Sequence, residues 1–297
     1  SYPAITSEDL LSIEVKTPPL KEQQAIGWFL DKKCDSIDGF IEKKLRLIEL
    51  LQEEKTALIN HAVTKGIDAG APMKPSNAEW LGDIPAHWEV VRLKRVTSLI
   101  TNGYVGPTRD ILKPEGVRYI QSLHIKGGTI KFHTPYYVSA DWSSQHSRSI
   151  LKEHDILVVQ TGAVGSVGIV SKDFEGCNCH ALIILRINNE RAVPSYVFNV
   201  LQSNYGFHVL KSIETGALHP HLNSTIICDI ELPLPTIDEQ IEIANLITLN
   251  TMRIEAAIGR IEKEIELLEE YKQALISEVV TGKVKVEEPV EEPEAVL

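Results

Sequence analysis

The residues that most often carry chemistry are few and unsuitably spaced in this chain. Cys177 and Cys179 are separated by one residue, which is too close for a zinc knuckle, and no second cysteine pair accompanies them. His219 and His221 have no acidic or cysteine ligand at a supporting spacing. The sequence therefore predicts no metal site, and its scattered thiols are typical of a reducing cytoplasm.

Familiar catalytic and cofactor patterns do not occur either. Gly162, Gly165 and Gly168 lie between strand-like runs without the Gly-Lys-Ser/Thr of a phosphate loop, so they indicate a hairpin turn. Glu153 and Asp155 do not have the spacing of a PD-ExK nuclease. A DNA methyltransferase would need an Asn/Asp-Pro-Pro-Tyr/Phe motif, which the sequence lacks. We therefore expect a non-catalytic protein that binds no cofactor.

A long internal repeat organises the chain. Residues 13–65 align without a gap on residues 230–282 at a constant offset of 217, and 19 positions are identical. Residues 66–229 separate the two copies and show no such similarity. The chain is therefore two copies of one long element around a central domain, and not a solenoid of short repeats.

Each copy has the apolar pattern of a coiled-coil helix. Apolar residues recur every seven positions in the second copy, at Ile247, Ile254, Ile261, Leu268 and Leu275. The first copy repeats the pattern at Leu30, Ile37, Leu51 and Leu58. Such a seam predicts a helix packed along another helix. Because the central domain connects the copies, we expect antiparallel pairing, which gives an α+β chain: a long antiparallel two-helix coiled coil plus one β-rich mixed globular domain.

Lysines interrupt this seam at Lys44, Lys55 and Lys272. Their aliphatic stems can pack while the ammonium groups reach glutamates near the seam, namely Glu49, Glu53, Glu266 and Glu270. The alternative is that Lys55 and Lys272 fix the register of the coil, as buried polar groups sometimes do. The first interpretation is the simpler one.

The sequence predicts that the central region is rich in β-strands and contains one helical segment. The expected strands are Glu89–Leu93, Val117–Ser122, Ile156–Gln160, Val167–Ser171 and Ala181–Ile187. Helical spacing follows over Val193–Lys211.

Charge is divided unevenly along the chain. The net charge is −11, yet residues 83–228 carry 14 Lys/Arg against 11 Asp/Glu and nine of the ten histidines. A mildly basic central domain between acidic helices is compatible with DNA contact but is weak evidence for it.

Three segments resemble the specificity (S) subunit of type I restriction-modification systems. They are Ile13–Gln23, Trp80–Val90 and Ile230–Gln240, and together with the repeated helices they cover essentially the whole chain. Trp80-Leu81-Gly82-Asp83-Ile84-Pro85 resembles the opening of a target recognition domain in that family.

The resemblance implies a division of the chain into segments. The expected segments are the end of a preceding recognition domain and a leading strand (1–20), helix 1 (21–66), a linker (67–80), the target recognition domain (81–229), a second leading strand (230–238), helix 2 (239–282) and an acidic disordered tail (283–297). Two recognition domains are described for the family and the sequence predicts one complete domain here, so the resemblance implies a C-terminal portion or a natural half-subunit.

The resemblance also implies the function. One domain would read half of a bipartite target on double-stranded DNA, and the coil would set the distance between halves. DNA methyltransferase (modification) subunits would dock along the coil, and with the restriction/translocase subunit they would perform the chemistry. The chain would be cytoplasmic, without membrane contact, and would form a homodimer if it is a natural half-subunit.

Candidate DNA contacts follow from the side chains that read base edges or bind phosphates. They lie in turns of the central domain, at Asn102, Tyr104, Thr108, Arg109, Gln121, His124, Lys126, Lys131, Arg148, Gln160, Thr161, His219, His221 and Asn223. A competing interpretation is a coiled-coil scaffold whose central domain binds protein, and this alternative predicts no salt-sensitive DNA binding.

Overall fold

We describe the fold from a computed structural model, which covers residues 5–14, 17–216 and 221–286. The chain divides into two compact units, one formed by Gln52–Ile254 and the other by Ser1–Leu51 with Glu255–Leu297. Both unit boundaries fall inside long helices. The predicted acidic tail lies almost wholly outside the described residues.

Two very long helices correspond to the two copies of the repeat. The helices are α1 (Ser7–Leu11), α2 (Leu20–Lys65), α3 (Ala140–Gln145), α4 (Pro194–Gln202), α5 (Asn204–Ser212), α6 (Ser224–Ile227) and α7 (Ile237–Val280). Gly66 and Gly282 follow α2 and α7 with φ angles of 76° and 73°, which favour glycine and are typical of residues just after a helix. The helical pattern over Val193–Lys211 is two helices, since Ser203 leaves the helical conformation and caps the start of α5.

In the unit formed by residues 1–51 and 255–297, parts of α2 and α7 are joined by ion pairs. Lys272 contacts Asp38 at 2.6 Å, and Lys44 pairs with Glu264. The residue numbers rise along one helix as they fall along the other, so these parts run antiparallel. Lys272 and Lys44 thus reach acidic residues of the other helix, and neither Asp38 nor Glu264 is among the four glutamates predicted as partners.

The central domain is built on short strands. They are β1 (Met73–Pro75), β2 (Asp83–Pro85), β3 (Glu89–Arg92), β4 (Thr97–Asn102), β5 (Leu112–Lys113), β6 (Val117–Ile120), β7 (Ile125–Lys126), β8 (Thr129–Ile130), β9 (Tyr137–Val138), β10 (Ile156–Val159), β11 (Val167–Ile169), β12 (Asn178–Cys179), β13 (Leu182–Ile187) and β14 (Glu231–Leu234). Each of the five predicted strands has a counterpart. The segment predicted as a linker contains β1, which pairs with β2.

One sheet has the strand order β11-β10-β13-β4 and is antiparallel throughout. Its two middle strands are buried on both faces, because alternate side chains enter two different cores. Ile156, Val158 and Ile183 face the larger core, whereas Leu157 and Ile184 face the smaller one. The continuous apolar runs of β10 and β13 follow from this double burial. We call this sheet the central sheet.

The larger core joins the central sheet to both long helices within the unit Gln52–Ile254. Ile59 and Val63 near the end of α2 and Ile243 and Ile247 near the start of α7 are buried in it, together with Trp88. The smaller core lies on the other face, and Ile120 contributes to it from a second sheet of order β12-β6-β9-β5. The architecture is therefore mixed α+β, as predicted.

The ion pair between Lys272 and Asp38 provides a test of the antiparallel register. Lys272→Asp places two carboxylates together and should lower the melting temperature by about 2 °C, because exposed pairs contribute little. Adding Asp38→Lys should restore it, since the pair is then reversed. The control is Lys263→Asp, which breaks a pair with Glu266 inside one helix. A double variant no more stable than Lys272→Asp alone would contradict this register.

Candidate nucleic-acid interface

One edge of the central sheet gathers many of the predicted contact residues. Strands β4 and β10 lie on either side of β13 and are both antiparallel to it, so they run in the same direction. Their C-terminal ends therefore meet at one edge, where Asn102 ends β4 and Gln160 follows β10. We call this the recognition edge; it comprises residues 102–109, 160–164 and 221–223.

Gln160 ties these three segments together. Its Nε2 donates to Asn102 Oδ1 at 3.0 Å and to the Leu222 carbonyl at 3.3 Å. The Leu222 amide in turn donates to the Gln160 carbonyl at 3.1 Å. The structure thus places Asn102 and Gln160 together, and their side chains hold the loops in position.

The candidate DNA contacts next to the hydrogen bonds of Gln160 are exposed to solvent. Thr161, His221 and Asn223 are exposed, and so is Arg109. Asn223 caps α6, since its Oδ1 accepts from the Thr225 amide at 2.9 Å. His221 pairs with Thr215 through two backbone hydrogen bonds of 2.9 and 3.0 Å. His219 lies outside the described residues.

A cluster of aromatic rings supports the loop that begins at Asn102. Tyr104 makes edge contacts with Trp142 at 5.0 Å and with His146 at 5.1 Å between ring centroids. Trp142 and His146 stack on each other at 3.9 Å. The backbones of Tyr104 and His180 form an isolated β-bridge, and the Tyr104 amide donates to the Cys179 carbonyl at 2.9 Å. These contacts fix the start of the loop that carries Thr108 and Arg109.

A second exposed arginine follows the helix that contributes Trp142 to this aromatic cluster. Trp142 and His146 belong to α3 and its end, and Arg148 follows in the next turn with its side chain exposed. Trp142, His146 and His180 were not among the predicted site residues. The signal for Trp142 and His146 in the sequence was the high density of aromatic and histidine residues between positions 119 and 146, whereas His180 lies outside that region.

The remaining candidates lie on a hairpin formed by β7 and β8, away from these contacts. Lys126 and Lys131 are exposed there. The hairpin is attached to the central sheet by a bridge between Gly128 and Gly168. Gln121 starts the preceding turn, and its backbone amide donates to His124 Nδ1 at 2.9 Å.

His124 does not lie on the surface, although it was a predicted DNA contact. Its side chain is buried, and its Nε2 contacts the Thr134 carbonyl at 2.8 Å. Nδ1 accepts from Gln121, so Nε2 carries the proton of a neutral ring. Burial lowers the pKa of His124 below its usual 6.5, while the hydrogen bond to Thr134 acts in the opposite direction. The geometry assigns His124 to holding the turn together.

Burial also keeps a neighbouring polar pair uncharged. Tyr119 Oη lies 3.3 Å from His180 Nδ1. Burial lowers the pKa of His180 and raises that of Tyr119, so the neutral form of each is favoured near neutral pH. This pair belongs to the scaffold beneath Tyr104.

A second cluster of cations lies at the opposite end of β4. A cleft there is lined by Arg92, Lys94, Arg95 and Arg191. Lys94 contacts Asp229 at 2.6 Å, and this hydrogen bond lowers the pKa of the Asp229 carboxyl. The run Arg92-Leu93-Lys94-Arg95 was visible in the sequence but was not predicted as a site.

Metal binding and membrane crossing can also be judged from the described residues. Across the described residues, no group of three or more His, Cys, Asp or Glu side chains could hold a metal ion. None of the helices in this part of the chain is long and apolar enough to cross a membrane.

A comparison with known protein families identifies the family of this chain. The family described as type I restriction modification DNA specificity domain matches residues 85–267, which is more than half of the chain. The chain belongs to this family. The match includes the central sheet and the first part of α7, and thus the whole recognition edge.

Relatives and solved structures agree with this family. The chain is 26% identical to the MjaVIII specificity subunit of Methanocaldococcus jannaschii over 293 residues, covering 96% of this chain and 65% of the relative. It is 22% identical to the EcoBI specificity subunit of Escherichia coli over 301 residues, covering 98% of this chain and 63% of the relative. The chain thus spans less than two thirds of the length of these relatives.

Two solved structures share the fold. A chain from a structure of the type I R-M system, solved to explain complex assembly and conformational transition, superimposes with a TM-score of 0.73 at 18% identity. That alignment covers 96% of this chain and 65% of the other. The HsdS subunit of Thermoanaerobacter tengcongensis gives a TM-score of 0.53 at 20% identity, covering 96% and 64%.

The buried neutral His124 should make stability fall with acid. Below about pH 6.5 the unfolded chain takes up a proton that the folded chain resists, so folding is penalised as pH falls. Histidine-selective NMR should show His124 titrating below 6.5. Lys131→Ala, which changes the exposed end of the same loop, should leave that titration in place. Titration of His124 at or above 6.5 would refute the buried arrangement.

Proposed function

We propose that this chain is a DNA sequence-specificity subunit of a type I restriction-modification complex and reads one half of a bipartite target. The observation that carries the proposal is the recognition edge. It presents exposed polar and cationic side chains on loops that the sheet, Gln160 and the aromatic cluster hold rigidly. Direct readout of DNA requires such side chains at fixed positions.

The candidate contact residues on and near the recognition edge would have different roles. Arg109 is exposed and long enough to reach a base edge, and Arg can bind guanine with two hydrogen bonds. Thr108, Thr161 and Asn223 are suited to phosphate or base contacts at shorter range. Arg148, Lys126 and Lys131 would contact phosphates beside the half-site, because their charges attract the backbone in any sequence.

The family and the two long helices suggest how the rest of the chain contributes. Residues 81–229 would form the target recognition domain, and α2 and α7 an antiparallel coiled coil that sets the distance between half-sites. Methyltransferase subunits would bind along that coil, and the restriction subunit would join through them. The chain would contribute no catalysis of its own.

A pair of arginines at opposite ends of β4 tests the proposal. Arg109 follows β4 at the recognition edge, whereas Arg95 precedes it at the other end, and both are exposed. The target would first be selected from randomised duplexes by the chain bound to its methyltransferase subunits. Arg109→Ala should then weaken target binding by about 5- to 150-fold, the effect of losing one good base contact.

Arg95→Ala is the matched control, because it removes the same exposed charge at the opposite end of β4. It should change the affinity less than twofold in fluorescence anisotropy at fixed salt. Equal losses for both variants would mean that charge alone matters, and the recognition edge would then not be the reader. If the complex binds DNA only through its other subunits, the scaffold alternative is favoured.

A further inference from the structure

Val105 is the most exposed large apolar side chain among the described residues of the unit Gln52–Ile254. It is 68% exposed, and the next such side chain is 63% exposed. Single apolar residues are common on protein surfaces and often need no explanation. Val105, however, lies in the middle of the recognition edge, between the anchored Tyr104 and the exposed Arg109. Its position therefore raises the question of what it contacts there.

Backbone hydrogen bonds fix the residue before Val105. The Tyr104 amide donates to the Cys179 carbonyl at 2.9 Å, and the Ala181 amide donates to the Tyr104 carbonyl at 3.0 Å. Gly103 permits this close approach, because a Cβ there would lie 2.6 Å from Cys179 Sγ and 2.7 Å from the carbonyl oxygen of the same residue. The main chain therefore enters position 105 from a fixed direction.

The residue after Val105 fixes the loop from the other side. A Cβ on Gly106 would lie 2.5 Å from Tyr104 Oη and 2.7 Å from Tyr104 Cζ, so the chain passes directly over the tyrosine ring. That ring cannot easily move aside, because it packs against Trp142 and His146. The loop thus holds the tyrosine ring against the protein and leaves the valine methyl groups in solvent.

The apolar character of Val105 restricts what it can contact in DNA. In the major groove, the 5-methyl group of thymine is the apolar group that marks an A·T pair, and side chains with methyl groups contact it. The neighbouring predicted contacts Thr108 and Arg109 are polar, and they suit phosphates or base edges that form hydrogen bonds. An apolar side chain held in a fixed position among them matches the thymine methyl group.

We infer that Val105 is a specificity-determining residue that contacts the 5-methyl group of a thymine in the major groove of the target. The inference rests on the proposed function and adds that the target contains an A·T pair read through this methyl group. The contact would remove apolar surface of both groups from water, which favours binding without any hydrogen bond. Uracil lacks the methyl group and keeps the same hydrogen-bonding groups, so it would lose this contact alone.

The test combines a substitution in the DNA with one in the protein. The chain bound to its methyltransferase subunits is titrated with the selected target, in which each thymine of either strand is replaced by uracil in turn. At one position the replacement should weaken binding by about fourfold, the effect of losing one buried methyl group. In Val105→Ala the same replacement should have almost no effect, because the two groups are coupled only through their contact.

Met73→Ala is the matched control, because it removes an exposed apolar side chain from β1, outside the recognition edge. It should leave the dependence on the methyl group unchanged. The inference is overturned if the selected target contains no A·T pair, if no thymine shows the dependence, or if Val105→Ala keeps it at every thymine.

Failure of the inference can be distinguished from failure of the proposed function. If Arg109→Ala weakens binding more than Arg95→Ala but no thymine methyl group is coupled to Val105, the recognition edge still reads DNA and the inference alone is wrong. If Arg109→Ala and Val105→Ala both leave target binding unchanged, the recognition edge is not the reader, and both are wrong.

Discussion

The double burial of β10 and β13 is the constraint on which the rest of the central domain depends. An apolar strand with both faces covered needs a layer on each side. The parts of the long helices inside this unit cover one face, and a second sheet covers the other. The side chains of the middle strands are apolar except for Arg186, which bonds to the buried Asp155. Residues that contact a ligand are therefore expected at strand ends and in loops.

The strand directions decide which loops can cooperate. Because β4 and β10 flank β13 and are both antiparallel to it, they run in the same direction, and the loops that follow them lie side by side. Gln160 then joins these loops to the segment before α6, and Tyr104 anchors the longest loop on Trp142 and His146. Folding therefore already orders the loops that would contact DNA, so DNA binding requires a smaller loss of conformational entropy.

The sequence predicted elements well where one physical signal dominated. Long apolar periods placed both helices, and the runs in β10 and β13 placed the central strands. Candidate residues such as Asn102 and Gln160 were also brought together, but nothing in their spacing showed that they bond to each other and to Leu222.

Predictions failed where tertiary contacts outweigh local pattern. His124 looked like a surface contact, yet a turn folds around it and buries it, because both ring nitrogens find backbone partners. Lys272 pairs with Asp38 on the other helix, which is not among the four glutamates predicted as partners of the seam lysines. Trp88 and His87 both bond to the carboxylate of Glu239, and no local sequence pattern indicated this contact.

The central claim is that the recognition edge reads DNA, and hydrogen exchange on the complex measures it most directly. The chain would be bound to its methyltransferase subunits and compared with and without a duplex that carries the selected target. The account predicts slower amide exchange in residues 102–111, 160–166 and 221–223 when the target is present. Protection confined to the opposite end of the central sheet, at residues 92–95 and 188–191, would contradict it.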